Sequence, residues 1–150
     1  YYGLKFLFSD LKVSEDLQKN YSDEAFLKGE QQLRDKYGQN VRRPASDYVN
    51  IIIELLDKEN NLGAITVYKR GAEAYPKYIQ FLNNLAALYE ETDQIDKAIE
   101  TYRSAIEVSN RLKLGNEEGY QKEIEIKLTS IKKSRLFGIF LCLSILRFYK

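Results

Sequence analysis

Six positions of this chain recur, in kind as well as spacing, 34 residues further on, and that period restricts the fold more than any other feature. Tyr48, Ile51, Leu55, Ala64, Tyr68 and Gly71 are matched by Leu82, Leu85, Tyr89, Ala98, Tyr102 and Ala105. Large apolar residues recur as large apolar residues, and small residues recur where two helices have to approach closely. A fixed period of this length marks a helix–turn–helix unit that buries its apolar face only by stacking on a neighbour. The expected fold class is therefore all-α: two helical hairpins stacked in file, closed by a capping helix.

The segments follow from local signals. Residues 1–44 read as an aromatic N-terminal run (Tyr1, Tyr2, Phe6, Phe8) and a helix over 23–37, with Ser22 before it and Gly38 where a C-cap belongs. Phe26, Leu33 and Tyr37 lie at near-helical spacing, with Glu30 and Arg34 on the other side. Arg42-Arg43-Pro44 breaks the pattern and reads as a linker, since proline disfavours helix in the residue before it. Repeats over 45–78 and 79–112 follow. In the first, helix A is expected from about Asp47 to Leu56 with Ser46 or Asp47 as N-cap, a turn at 58–61, and helix B from Leu62 to Ala74. In the second, helix A is expected from Tyr78 to Glu91, a polar turn at 92–94, and helix B from Ile95 to Leu114. Residues 113–134 read as the cap, because Tyr120, Ile124, Leu128 and Ile131 fall on one helical stripe. Two repeats fall short of the three or so usually needed, so flanking segments are expected to supply interface.

The tail, 135–150, is apolar on every side over 136–146 and flanked by Lys132, Lys133, Arg135 and Arg147. As a helix that run would extend only ~16 Å, against a hydrocarbon core of roughly 30 Å, too short to span a bilayer. Burial against the repeats or against another part of the protein is the first reading. A homodimer contact and a membrane-surface anchor stand behind it.

Composition narrows the chemistry. The chain has no histidine, which excludes Ser-His-Asp and Cys-His arrangements and any imidazole metal ligand. Its lone Cys142 excludes an internal disulfide framework and a cysteine-rich metal site. Lys and Arg total 23 against 22 Asp and Glu, so nothing electrostatic points to nucleic acid as a partner. No cofactor or metal site is expected. The acidic pairs Asp93/Asp96 and Glu117/Glu118 sit at helix starts, where carboxylates meet a favourable dipole. A chain that lacks methionine and opens Tyr1-Tyr2-Gly3 is expected to be cut from a longer polypeptide or processed at its N-terminus.

Leu85, Ala86, Tyr89, Ala98, Tyr102 and Ala105, within the run from Asn83 to Glu107, resemble the tetratricopeptide repeat. The first copy keeps Ala64, Tyr68 and the terminal Pro76, and departs at Ile52, where the family prefers a small residue, and at Gly71 in place of alanine. The resemblance implies a concave groove lined by Val49, Ile53 and Leu56 in the first copy and Gln80, Asn83, Ala87, Glu90 and Glu91 in the second. It implies a protein or peptide partner, or a missing domain of the same polypeptide. The carboxylate-binding version of such grooves needs Lys and Arg on this face; Glu90 and Glu91 would repel an acidic C-terminus. The apolar trio Val49, Ile53 and Leu56 is expected to be covered by a neighbour, the 23–37 helix or the tail.

A second resemblance lies in the order of segments. Gly3 through Phe8, then a helix ending at Tyr37-Gly38, then Pro44 and two repeats, is similar to the C-terminal extension of bacterial esterases of the enterochelin-esterase-like α/β-hydrolase kind. This chain has no Gly-x-Ser-x-Gly elbow, so no catalytic residue transfers to it. The reading is a non-catalytic interaction or scaffold module within a longer protein, with an accessory or dimerising domain of a serine esterase as the alternative.

Overall fold

The computed structural model describes residues 11–112, 122 and 124–134, and every regular element among them is a helix. In chain order these are α1 (Glu15–Lys19), α2 (Asp23–Tyr37), α3 (Ala45–Asp57), α4 (Asn61–Ala74), α5 (Ile79–Glu91) and α6 (Ile95–Leu112). Residues 124–134 are also helical. The all-α fold expected from the period, and the tetratricopeptide-like hairpins that the resemblance implies, are the fold observed. The chain forms two compact units, the first ending at Phe81 and the second beginning at Leu82, within α5. The expectations for residues 1–10, for 113–121 and 123, and for the tail 135–150 fall outside the described residues.

Why the helices start and stop where they do is mostly local. Ser14 and Ser22 accept from the backbone N–H three residues on, capping α1 and α2. Gly38, at φ 97, ends α2 in a conformation that only glycine adopts cheaply. Asn60 caps α4, its side-chain oxygen accepting from the Gly63 N–H at 3.0 Å. Helix α3 departs from expectation. Pro44, not Ser46 or Asp47, is its N-cap, and makes no side-chain capping bond. The reason is that the Asp47 carboxylate is turned inward, accepting the Val13 N–H at 2.6 Å.

The 34-residue period reappears in the backbone of the two hairpin turns. After α3, the Glu59 and Asn60 N–H groups donate to Leu56 and Leu55 carbonyls at 2.9 and 2.8 Å. After α5, Asp93 and Gln94 donate to Glu90 and Tyr89 at 3.1 and 2.7 Å. Each pair is a Schellman closure, with a left-handed residue at its centre: Glu59 at φ 56, Asp93 at φ 58. The two elbows are thus built alike.

In the first unit, α3 packs on α4 and also against α1. Tyr48, Ile51, Ile52 and Leu55 form the buried stripe of α3, at helical spacing. Burying each such side chain contributes about 1.5–3 kcal/mol, which offsets the entropy of ordering the hairpin. Phe26, Tyr48, Tyr75 and Phe81 form an aromatic cluster with ring centroids 5.6–6.4 Å apart, mostly tilted or edge-on. Phe81 explains the departure at Gly71. A Cβ on Gly71 would lie 2.7 Å from the Phe81 ring, so a repeat position usually filled by alanine is emptied here for an aromatic edge.

Arg43, read from sequence as part of a linker, is instead an interior residue, 5% exposed. Its Nη1 donates to the Leu11 carbonyl at 3.2 Å, and its guanidinium lies 5.7 Å from the Phe26 ring centroid. Its Nε sits 3.0 Å from Glu30 Oε1. That contact is an ion pair without hydrogen-bond alignment, since neither atom meets hydrogen-bond geometry. Glu30 accordingly faces inward rather than standing on an outer face of α2. Arg43 and Asp47, one turn apart, together hold the backbone of residues 11 and 13. Arg42 meanwhile donates to the Ala74 carbonyl at 2.5 Å, and the Tyr75 hydroxyl donates to the Arg43 carbonyl. The presumed linker therefore ties the start of the hairpin to its end.

In the second unit, Ala98, Ile99, Tyr102 and Ala105 form the buried face of α6, with Leu85, Ala86, Leu88 and Tyr89 buried on α5. The Tyr102 hydroxyl reaches the Glu90 carboxylate at 3.4 Å. Ile124, Leu128 and Ile131 are buried at the spacing expected of a closing helix.

Two outcomes are expected. Gly71→Ala should lower stability by about 1–3 kcal/mol in urea denaturation, the clash with Phe81 outweighing the ~1 kcal/mol that alanine gains in a helix; Phe81→Leu in that background should recover part of the loss. Asp47→Ala should cost about 1–3 kcal/mol and raise hydrogen exchange at the Val13 amide well before global unfolding.

Candidate functional site

Two surfaces of the first unit could receive a ligand, and they lie on different helices. The first is the solvent side of α3. Val49 and Ile53, one turn apart, are 40% and 51% exposed, with Leu56 half-buried beside them. The α2 helix does not cover them as expected: α2 turns Phe26 and Leu33 into the core of the unit and leaves this side of α3 open. Gln80 is exposed at the start of α5. In the second unit Asn83 and Ala87 are half-buried, while Glu90 and Glu91 are exposed. Glu90 accepts from Tyr102, so part of its charge is used within the hairpin.

The second surface was not legible from the period. A cleft of about 290 Å³ runs between α2, the 39–42 segment and α4. Phe26 and Tyr48, both almost fully buried, line it together with Leu27 and Val41. Arg34, Arg42 and Arg70 line it together with Glu30 and Glu73. The three guanidinium groups differ in how firmly they are held. Arg70 is committed, donating through Nε and Nη2 to the two Asp23 oxygens at 3.0 and 2.8 Å. Arg42 gives Nη1 to the Ala74 carbonyl. Arg34 is held loosely, 3.5 Å from Gln31 Oε1 and 3.6 Å from Glu30 Oε2.

Charge and burial act on the titratable groups around this cleft. The Arg70 hydrogen bonds, then that from Tyr21, hold the Asp23 carboxyl below its ordinary 3.8. Asp23 is largely solvent-exposed, so the pair's contribution to stability is small. Burial, helped by the Glu30 carboxylate, pushes the Tyr48 hydroxyl well above its ordinary 10.0. Burial and the Asp23 hydrogen bond do the same to Tyr21. None of this assembles a nucleophile with a base. Among the described residues no cluster of carboxylates or cysteine is arranged to hold a metal ion, and no helix is long and apolar enough to cross a membrane.

Comparison with known proteins agrees with the hairpin architecture. A family model for the tetratricopeptide repeat matches residues 67–100, a window equal to one period. Over 56 residues, 37% of this chain, the sequence is 46% identical to the heat shock protein sti1 homolog of Schizosaccharomyces pombe. The matched stretch covers 9% of that relative's length. Residues 67–100 are thus similar to one tetratricopeptide repeat, in keeping with the all-α repeat fold.

The raised Tyr48 value has a consequence at alkaline pH. A hydroxyl whose folded value exceeds its unfolded value contributes stability that is fully present below the unfolded value and is lost as pH rises past it. Stability should therefore fall above pH 10.0, the unfolded value. Tyr48→Phe should make that fall shallower by about 1 kcal/mol per pH unit, as read from denaturation midpoints.

Proposed function

We propose that this segment is a non-catalytic protein-interaction module that receives a peptide or protein partner on the open side of α3. The observation that supports the reading most directly is the exposure of Val49 and Ile53 side by side on a helix whose opposite face is buried. The tetratricopeptide repeat match supports it as well, since such hairpins expose helix A for contact while helix B holds it in place. On this reading the partner is a protein or peptide, from another chain or from a further domain of the same polypeptide. The length of the sti1 relative, of which only a small share is matched, is consistent with a repeat that works inside a larger chain.

A second reading makes the segment an accessory or dimerising domain of a serine esterase. It rests on the order of segments alone, part of which, Gly3 to Phe8, lies outside the described residues. A Gly-x-Ser-x-Gly elbow and a histidine upstream in the parent reading frame would establish it.

The first reading is tested by quantitative affinity capture with the 150-residue chain. Ile53→Glu should reduce retention of the captured partner at least tenfold by placing a desolvated charge in the contact. Leu62→Ser, at a residue 78% exposed on α4, should leave retention unchanged. Equal retention by both variants would remove α3 as the contact surface.

A further inference from the structure

From α3 the cleft between α2 and α4 takes only the buried Tyr48, not Val49 or Ile53, so a ligand there would not occupy the exposed α3 face. We propose that it is a second recognition site, which takes an acidic side chain followed by an apolar one from a partner peptide. The inference stands apart from the reading of the α3 face and would survive its failure.

Charge accounting comes first. Glu30 is paired with the buried Arg43, and Arg70 with Asp23. With those pairs set aside, Arg34 and Arg42 face the cleft against Glu73, two cations against one anion. An arginine has five N–H donors. Arg42 commits one of its five, to Ala74, and the partners of Arg34 stand at 3.5 and 3.6 Å, beyond a good hydrogen bond. A carboxylate entering the mouth would meet forked donors that are positioned but weakly engaged.

The apolar lining selects the second half of the ligand. Phe26 and Tyr48 line the cleft almost fully buried, and Leu27, which also lines it, is 41% exposed. Such a surface takes an aliphatic side chain and excludes water from the carboxylate contact. The volume, about 290 Å³, lies at the lower edge of the roughly 300–1,000 Å³ of small-ligand pockets. It suits one or two side chains rather than a folded surface. The walls are held in place: α2 by the buried Arg43, and the 39–42 segment by the Arg42 bond to α4, which lowers the ordering cost on binding.

The test uses the full 150-residue chain and two peptides, acetyl-Gly-Glu-Leu-Gly-amide and its glutamine analogue, followed by ¹⁵N-resolved NMR. The glutamate peptide should shift the Arg34 and Arg42 Nε–Hε signals and the Leu27 and Val41 amides saturably. It should bind at least about fivefold tighter than the glutamine peptide, and weaken as salt is raised from about 50 to 500 mM. Arg34→Gln, at a side chain whose ion pair and hydrogen bond among the described residues are long, should erase that discrimination, and Leu27→Ser should weaken both peptides. If Arg34→Gln lowers helicity, Arg34→Lys serves instead; it keeps the charge, loses the fork, and should retain only part of the preference. Equal affinity for the two peptides overturns the proposal. So do shifts centred on Val49 and Ile53, or no saturation by about 5 mM.

Discussion

A guanidinium taken out of water has to find its hydrogen bonds and its counter-charge inside the protein, and the first unit is arranged around that demand. Arg43 draws Glu30 inward from α2, holds the Leu11 carbonyl, and lies against the ring of Phe26. Gly29 is part of the same solution, since a Cβ there would come within 2.5 Å of the Arg43 Nη2. One residue thereby fixes α2, the segment before α1, and the entry to α3. Removing a buried ion-pair partner typically costs more than the pair contributes, so Arg43 and Glu30 constrain one another as well as the fold.

Much of the architecture was readable before any coordinates, and the reason is physical. Apolar spacing and the 34-residue match depend on each helix burying one stripe, which Tyr48, Ile51 and Leu55 do in the first copy and Leu85 and Tyr89 in the second. Helix α2 was readable end to end because Ser22 and Gly38 are local signals that need no tertiary partner. The failures lie where a long-range partner overrides local preference. Asp47 is a good N-cap by type, but the Val13 amide claims its carboxylate. Arg43 beside Pro44 looks like polar linker, but Glu30 and the Leu11 carbonyl, distant in sequence, make it interior. Gly71 looked like a lapse from the repeat pattern until Phe81 was seen to fill the space.

The candidate sites divide the same way. Val49 and Ile53 were named from repeat position and stand exposed on α3; of the two covers expected for them, α2 packs elsewhere, and the tail lies outside the described residues. The α2–α4 cleft had no sequence signal, because Arg34, Arg42 and Leu27 are spread over the segments before the repeats and converge only in three dimensions. Hairpin position marks helix A; it says nothing of a helix that leans on helix B.

Phe81 lies at the start of the second repeat's first helix, yet its ring completes the packing of the hairpin before it. During synthesis, then, a nascent chain that has emerged only as far as Pro76 has both partners of its first hairpin but an open slot above Gly71. The first hairpin can shut only when the ribosome has released the opening residues of the helix after it, so its packing is completed by sequence that lies beyond its own repeat.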